Sequence, residues 1–280
     1  MNFPHIYKEG TDGRGLYYMW FTAMHTRIDV MMAGEFSEES FNSVGNELRS
    51  AISYIEHIGS CFDPESELSR VNREATKHPV NVDEELLLIL RLCKEYHRLT
   101  NGLFDITQAG KMEDLMLTND GKVGFSSPLN LNLSGFLKGY ALENIRSILS
   151  ERGINDALVN MGNSSIMAIG SYKGTYGWEV AIDDHAPDTQ QSSSNGQHPT
   201  PRKTVTLYDE CLTISGNSSG ERQHIINPLT DEYVVGKRAV GVVTKSGIEG
   251  EALSTALFIA DANQREALKE QFGIKIIIDL

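Results

Sequence analysis

The segment of residues 250–258 constrains the fold of this chain most, because it predicts a helix that must be buried. Its sequence is Gly-Glu-Ala-Leu-Ser-Thr-Ala-Leu-Phe, and residues 256–260 are apolar without interruption. A helix that is apolar on every side packs inside a protein, so other elements have to cover it. Glu251 precedes Ser254 and Thr255 by three and four residues, a spacing that groups side chains on one helix face.

Two explanations of this polar group stay open. Carboxylate and hydroxyl oxygens are ligands that a hard divalent cation prefers, so the group predicts a metal site near the helix start. Alternatively, Glu251 is a first-turn acid that stabilises the positive end of its own helix.

The composition is that of a globular protein with a strong negative charge. The 280 residues are enough for one large domain or two smaller ones. The net charge of −13, without a basic run, argues against non-specific binding to nucleic acid or to an anionic membrane. The cysteines, Cys61, Cys93 and Cys211, are far apart and form no CxxC or Cys/His pattern, so neither a disulfide framework nor a zinc site is predicted.

The chain contains no apolar stretch that approaches a membrane-spanning length of about 20 residues. Its first ten residues contain no apolar region typical of a signal peptide. We therefore expect a cytoplasmic protein without a membrane segment. An exported or lipid-anchored form with a removed leader is the alternative.

Apolar spacing and capping residues predict the helices. Asp83, for example, is placed to cap a helix that runs to about Leu99. The predicted helices cover residues 41–58, 83–99 and 139–152, the region from 251 onward, and residues 265–270. The predicted strands are one or two within residues 17–33, a short one at 104–107, others at 157–160, 165–169 and 178–182, and a buried one at 274–278.

These elements mix without a regular strand–helix–strand rhythm, and no glycine-rich dinucleotide or phosphate-loop motif follows a strand. We therefore predict an α+β fold with mixed, largely antiparallel sheets and packed helices. We predict a single domain over residues 1–280, with two intertwined α/β lobes around a ligand cleft as the alternative arrangement. Residues 184–203 are rich in Ser, Gln and Pro, which predicts an exposed flexible loop.

Two short polar segments of the chain, around Phe62 and around Asp105, predict contacts to a ligand. Phe62 leads into a polar turn, where its ring could stack on a flat ligand; the alternative is an ordinary loop in which Ser66 caps a short helix. Asp105 and Thr107 project the same way if their segment is extended, so they could hydrogen-bond a ligand or simply close a turn.

Two other segments predict binding of a phosphate and acid–base chemistry. Lys138 lies at a predicted helix start, where free backbone N–H groups and an ammonium suit a phosphate; a solvated lysine is the alternative. His224 precedes an apolar pair and an Asn-Pro turn. It is either a structural histidine or a general base or orienting donor.

Together, these segments resemble the FAD:protein FMN transferases of the ApbE type, a family once linked to thiamine biosynthesis. The resemblance is in order and extends from Met24 to Ile278. The matching segments are Met24-His-Thr26, Ser60 to Asn72, Phe104-Asp-Ile-Thr107, Ser134 to Ala141, Ala157-Leu-Val-Asn-Met-Gly162, Ser215-Gly216, His224-Ile-Ile226 with Pro228, and Ala252-Leu-Ser-Thr-Ala-Leu-Phe258.

The resemblance implies an ApbE-like, T-fold-related architecture and a specific reaction. Family members split FAD with Mg²⁺ and move FMN onto a Ser or Thr hydroxyl of a target flavoprotein, with AMP as the leaving group. The partners implied are therefore FAD and an acceptor flavoprotein. The implied FAD contacts are Met24, Phe62, Leu103, Phe104, Asp105, Asn132, Lys138 and Ile226. The implied metal ligands are Gly135 by its carbonyl, Glu251, Ser254 and Thr255, and the implied catalytic residue is His224.

Several positions depart from the family pattern. The metal-binding Asp of the family is Glu251, and two other family acids are the amides Asn132 and Asn227. The Gly-Gly-Asp turn is Gly162-Asn163-Ser164, and the usual aromatic Tyr is Phe62. Losing acids removes candidate bases and metal ligands, which keeps two alternatives open: an FAD-binding paralogue without transfer, and an FAD pyrophosphatase that gives FMN and AMP.

Overall fold

The computed structural model describes residues 5–9, 15–172, 174–182, 203–217, 225–236 and 238–280. Within these ranges it contains six α-helices and one short 3₁₀ helix, Met112–Asp114. The α-helices are α1 (Glu38–Gly59), α2 (Glu67–Glu74), α3 (Glu84–Leu99), α4 (Leu137–Glu151), α5 (Gly247–Ile259) and α6 (Ala262–Phe272).

The described residues form seventeen strands, several of them only two or three residues long. They are β1 (His5–Glu9), β2 (Gly15–Ala23), β3 (Thr26–Gly34), β4 (Val80–Asn81), β5 (Thr107–Ala109), β6 (Leu115–Leu117), β7 (Lys122–Phe125), β8 (Asn130–Leu131), β9 (Ala157–Met161), β10 (Ser165–Ile169), β11 (Trp178–Ile182), β12 (Lys203–Leu207), β13 (Glu210–Gly216), β14 (Ile226–Asn227), β15 (Glu232–Tyr233), β16 (Ala239–Thr244) and β17 (Ile277–Asp279).

One large sheet organises the chain. Its eight strands lie in the order β1-β2-β3-β9-β10-β13-β16-β17, and each neighbouring pair is antiparallel. The smaller sheets, β4-β7-β6, β5-β8, β11-β12 and β14-β15, are antiparallel as well. The predicted α+β fold with largely antiparallel sheets is confirmed.

Helices α1 and α3 form where apolar spacing predicts them. The buried face of α1 runs from Phe41 to Ile58, and Ser37 caps its start by accepting the Ser40 N–H. Asp83 caps α3 by accepting the Glu85 N–H, as predicted. Both predictions depend only on residues within a few positions of each other, so the sequence pattern was sufficient.

Helix α5 is buried, as the apolar segment predicts. It packs against β13 and β16, and residues 252–254 and 256–259 are all buried. A Cβ at Gly250 would lie 2.4 Å from Oγ1 of Thr213, so glycine permits the close approach of this helix to the sheet. The helix begins at Gly247, four residues before the predicted start.

Helices α4 and α5 cross at two glycines. A Cβ at Gly139 would lie 2.2 Å from the carbonyl oxygen of Gly247 and 2.6 Å from Cγ of Glu251. A Cβ at Gly247 would lie 2.8 Å from the carbonyl oxygen of Gly139. Only residues without a side chain allow this contact, and the crossing brings the start of α4 against Glu251.

Some predicted boundaries are wrong. The strand predicted at 104–107 is instead β5 (Thr107–Ala109), because residues 101–104 form a turn and residues 105 and 106 are irregular. The last strand is shorter than the predicted 274–278, and Ile276 is exposed. Helix α4 begins two residues before the predicted Gly139.

Two predictions about larger parts of the chain were not tested. The loop predicted at 184–203 lies outside the described residues except for Lys203, which begins β12. The single-domain interpretation stays a prediction. In the part of the chain that the structure describes, no helix is both long enough and apolar enough to cross a bilayer.

Candidate functional site

A cavity of about 1270 Å³ opens between the starts of α4 and β14, the middle of α5 and the turn after α3. Residues that are distant in sequence meet there. Nine of the thirteen predicted site residues line it: Leu103, Phe104, Asp105, Asn132, Gly135, Lys138, Ile226, Glu251 and Thr255.

Glu251 is the buried carboxylate of this cavity. It is only 4% exposed, and its Oε1 accepts a hydrogen bond from the Ser165 hydroxyl at 2.6 Å. Burial raises the pKa of Glu251, while Lys138, the Ser165 hydroxyl and the Gly139 N–H favour the charged form and oppose that rise. Glu251 is therefore a buried carboxylate that hydrogen-bond donors hold in place, and it can bind a cation.

The Gly139 N–H belongs to the first turn of α4, and α4 has no side-chain cap from Phe136, its own N-cap residue. Glu251 therefore stabilises the positive end of α4 from a neighbouring helix. The alternative in which it serves its own helix is wrong, because Glu251 is the fifth residue of α5 and the first-turn acid is Glu249. Glu251 therefore does stabilise a helix start, but that helix is α4 and not its own helix, α5.

The two hydroxyls after Glu251 differ in accessibility. Thr255 lines the cavity, whereas Ser254 is fully buried behind it. The Ser215 hydroxyl lies 2.8 Å from that of Ser254 and 3.1 Å from that of Thr255. Ser215 on β13 thus joins the two hydroxyls to the sheet.

Lys138 lies in the first turn of α4 and lines the cavity. Its ammonium donates to the Ser164 hydroxyl in the turn between β9 and β10. The ammonium and the positive end of the α4 helix dipole place positive charge on one wall. Gly135, also on this wall, is exposed, and a Cβ added there would have no atom within 4 Å.

The segment from Leu103 to Asp105 is held by α3. The Asp105 Oδ1 accepts the Thr107 N–H at 2.7 Å, so Asp105 closes this turn, which is one of its two predicted roles. Its Oδ2 lies 3.2 Å from Nδ1 of His97, which also lies 3.0 Å from the Phe104 carbonyl oxygen. Asp105 raises the pKa of His97 by hydrogen bonding and charge, against an opposing effect of burial.

The two amides that replace family acids complete turns. Asn132 lines the cavity, and its Oδ1 accepts the Ser134 N–H at 2.9 Å. The Oδ1 of Asn227 accepts the Leu229 N–H at 2.9 Å in the β14–β15 hairpin. Ile226, just before Asn227, lines the cavity, whereas His224 lies outside the described residues.

Met24 and Phe62 do not line the cavity. Met24 and His25 form the two-residue turn between β2 and β3, with φ of 49° and 55°. Both angles are in the left-handed region, which glycine adopts more readily than methionine or histidine does. Phe62 is 65% exposed, and its ring meets that of His25 edge-on, with centroids 6.1 Å apart.

The start of β3, directly after Met24 and His25, contacts a turn that lines the cavity. Gly162 donates its N–H to the carbonyl oxygen of Arg27 at 3.0 Å, and a Cβ at Gly162 would lie 2.2 Å from Oγ1 of Thr26. The turn that begins at Gly162 carries Ser164, which lines the cavity. Met24 is therefore connected to the cavity wall through this turn.

Comparison with known proteins decides the family. The model of the ApbE family matches residues 24–123 and 111–278. The chain belongs to the ApbE family. Within that family it is divergent, since the relatives compared below are 26% and 20% identical to it over the aligned residues.

Two ApbE relatives and one solved structure illustrate the similarity. An FAD:protein FMN transferase of Rhodobacter capsulatus is 26% identical over 61% of this chain, and the match spans only 32% of that protein. One of Buchnera aphidicola is 20% identical over 85% of this chain and 79% of its own length. The flavin transferase ApbE from Vibrio cholerae superposes with a TM-score of 0.79 at 19% identity, covering 99% of this chain and 94% of its own.

The residues around Glu251 fit a hard divalent cation. Glu251, Thr255 and the backbone of Gly135 present carboxylate, hydroxyl and carbonyl oxygens around one cavity, and such oxygens suit Mg²⁺. A carboxylate has about four acceptor sites, so the bonds from Ser165 and Gly139 leave room for a cation. Within the described ranges no group of three or more His, Cys, Asp or Glu side chains could hold a metal, so a site here would depend on a single carboxylate.

Two residues of this ApbE site were missed by the sequence interpretation. Ser165 was included in a strand, although it is the only polar residue of the strand Ser-Ile-Met-Ala-Ile. A lone hydroxyl in a buried strand was the available signal, because it needs a partner. His97 was included in a helix, and no local pattern indicates its contact with Asp105.

Proposed function

We propose that this ApbE-family protein transfers FMN from FAD to a Ser or Thr hydroxyl of an acceptor flavoprotein, with Mg²⁺ and with release of AMP. The observation that carries the proposal is the convergence of Lys138, Glu251 and Thr255 on one cavity with Asp105 and Asn132. These residues come from three separate segments of the chain. The names of the relatives support the same reaction.

The reaction is a phosphoryl transfer at the pyrophosphate of FAD. The acceptor oxygen forms a bond to the phosphorus of the FMN half, and the bond from that phosphorus to the bridging oxygen breaks. The bridging oxygen leaves with AMP, and the hydroxyl proton goes to a base. Positioning and charge neutralisation dominate the catalysis of such transfers.

The charges of the cavity suit a pyrophosphate. The Lys138 ammonium would bind phosphate oxygens and hold the phosphorus in place, and the positive end of α4 would add to the attraction. Glu251, Thr255 and the Gly135 carbonyl would hold Mg²⁺, which when bound neutralises charge on the phosphates. We assign the base to His224, which lies outside the described residues.

The flavin would lie toward Met24 and Phe62. The exposed Phe62 ring offers a face for the isoalloxazine, and aromatic pairs of this kind stack favourably. Leu103, Phe104 and Ile226 provide apolar surface within the cavity itself.

A transfer assay tests the proposal. The purified protein is incubated with FAD, Mg²⁺ and an acceptor flavoprotein domain, with a second acceptor whose target hydroxyl residue is replaced by alanine. Covalent flavin is detected by in-gel fluorescence, and AMP by chromatography. We expect fluorescence on the intact acceptor alone, an equivalent amount of AMP, and neither product in excess EDTA.

Other outcomes identify the alternatives. Free FMN and AMP without a labelled acceptor would indicate an FAD pyrophosphatase. Intact FAD that elutes with the protein, without any product, would indicate a flavin-binding paralogue. Either result with several acceptor domains contradicts the transferase proposal.

A further inference from the structure

The hydroxyl of Ser165 donates to Oε1 of Glu251 at 2.6 Å, across 86 residues of sequence. Ser165 is completely buried, and Glu251 is almost so. A hydrogen bond between a hydroxyl and a buried carboxylate is charge-assisted, and such bonds are among the stronger ones in proteins. The contact therefore restrains the carboxylate rather than merely touching it.

The sheet holds Ser165 firmly in place. It begins β10, where it pairs with Met161 of β9 on one side and with Thr213 of β13 on the other. Strands β9, β10 and β13 are all interior strands of the eight-stranded sheet. An interior strand is hydrogen-bonded on both sides and moves little. The Ser165 hydroxyl is therefore a rigidly placed donor for Glu251 on α5.

Glu251 needs such a rigidly placed donor more than a shorter acid would. Its side chain has one more rotatable bond than aspartate, and Mg²⁺ tolerates little departure from octahedral geometry. Gly139 donates its N–H to the same carboxylate, and it lies so near the stem that a Cβ there would be 2.6 Å from Cγ of Glu251. Together Gly139 and Ser165 restrain both the stem and the carboxylate.

We propose that Ser165 is a positioning residue, which holds the Glu251 carboxylate in the orientation that binds the divalent cation. The inference rests on the metal assignment of the proposed function. Residues that hydrogen-bond a metal-binding carboxylate typically contribute 10- to 100-fold to metal affinity. Ser165 itself does not line the cavity, so it acts through Glu251.

Metal binding tests this inference without reference to turnover. Mn²⁺ serves as the probe, because it takes the same oxygen ligands as Mg²⁺ and its free ion is counted by electron paramagnetic resonance. We expect Ser165→Ala to weaken Mn²⁺ binding about tenfold, and Glu251→Gln to abolish it. In transfer assays, Ser165→Ala should need about tenfold more Mg²⁺ for half-maximal rate but reach a near-normal kcat.

Thr213→Val is the matched control. Thr213 lies directly opposite Ser165 on the neighbouring strand, is equally buried, and has a hydroxyl without a hydrogen-bond partner among the described residues. Valine keeps its shape, so this variant should bind Mn²⁺ like the wild type. Thermal melts of all variants with EDTA establish that each is folded.

The outcomes separate this inference from the proposed function. Unchanged Mn²⁺ binding by Ser165→Ala, with loss in Glu251→Gln, overturns the inference and leaves the metal site standing. Unchanged binding by Glu251→Gln, or no binding by the wild type, overturns both the inference and the metal assignment. Normal Mn²⁺ behaviour without FMN transfer overturns the proposed reaction alone.

A double-mutant cycle identifies the route by which Ser165 acts. In a Glu251→Asp background the carboxylate is one methylene shorter, so its hydrogen bond with Ser165 should be lost. We expect Ser165→Ala to change Mn²⁺ affinity less than about twofold in that background. An equal loss in both backgrounds would mean that Ser165 does not act through Glu251.

Discussion

The Nδ1 of His97 and the Oδ2 of Asp105 lie 3.2 Å apart on the wall of the cavity. The pair ties the end of α3 to the turn that carries Leu103 and Phe104 into the cavity. The side chains are 20% and 8% exposed, so the interaction is only partly screened by water.

The His97–Asp105 pair predicts a pH dependence of stability. The Asp105 side chain raises the pKa of His97 in the folded protein, so the folded state binds the proton more tightly than the unfolded state. This stabilisation is complete below the ordinary histidine pKa, about 6.5, and is lost as the pH rises through the raised value. Denaturant titrations between pH 5 and 9 measure the free energy of unfolding.

We expect the wild type to lose this contribution with rising pH and His97→Gln to lack it. His57→Gln changes an exposed histidine on α1 and should keep the wild-type profile. Parallel profiles for the wild type and His97→Gln would contradict the prediction.

Replacement of Glu251 by glutamine should stabilise the metal-free protein. Burial raises the pKa of Glu251, so the metal-free folded state binds the carboxyl proton more tightly than the unfolded state does. The stability of the metal-free wild type should therefore fall as the pH rises from the ordinary carboxyl pKa of about 4.3 through the raised value. Glutamine carries no charge and should remove that fall.

Thermal melts in EDTA from pH 4 to 8 measure this difference. Added Mg²⁺ should raise the Tm of the wild type and leave that of Glu251→Gln unchanged, since only the wild type gains from binding. The same variant should lose most transfer activity. A lower Tm for Glu251→Gln at pH 7 in EDTA would be the opposite of what burial predicts.

The helix crossing makes Gly139 sensitive to a single methyl group. In Gly139→Ala the new Cβ would lie 2.2 Å from the Gly247 carbonyl oxygen and 2.6 Å from Cγ of Glu251. Helices α4 and α5 must then separate, which should cost about 1 to 3 kcal/mol in the free energy of unfolding.

Gly135→Ala is the matched control, because its Cβ would have no atom within 4 Å. It should stay within about 0.5 kcal/mol of the wild type. Equal stabilities for the two alanine variants in urea titrations would show that the crossing is not tight.

Phe62 should contribute to flavin affinity and not to stability. The ring is 65% exposed, so Phe62→Ala should leave the Tm nearly unchanged. Loss of a stacking partner worth about 1 kcal/mol should weaken FAD binding about fivefold. Calorimetric titration with FAD in EDTA measures binding without turnover.

Phe62→Tyr keeps the ring and should retain wild-type affinity. Tyr176→Ala removes an aromatic side chain that is 81% exposed and is none of the implied FAD contacts, so this variant should bind FAD normally. Wild-type affinity in Phe62→Ala would place the flavin elsewhere.

The regular elements could be predicted where their cause is local. Helix α1 follows from the spacing of its apolar side chains, and α3 follows from that spacing and the Asp83 cap. The start of α5 was missed, because Gly247 and Gly250 are weak helix formers that the crossing and the sheet require. Tertiary contact here outweighs local propensity.

The sequence could predict which residues belong to the candidate site, but not how these residues are arranged in space. The order of its motifs along the chain indicates the ApbE family, and the helical spacing of Glu251, Ser254 and Thr255 groups them on one face. No pattern in the sequence separates the accessible Thr255 from the buried Ser254, because packing against Ser215 decides this.

The sequence by itself determined the class of fold, the family and the chemical groups available for binding. These follow from periodicity, caps and motifs, whose causes lie within a few residues of one another. Only the tertiary structure decided that Glu251 accepts from Ser165 and stabilises the start of α4. These partners, far from Glu251 in sequence, meet it through the packing of α5 on α4 and on the sheet, and the geometry and charge of the site depend on that packing.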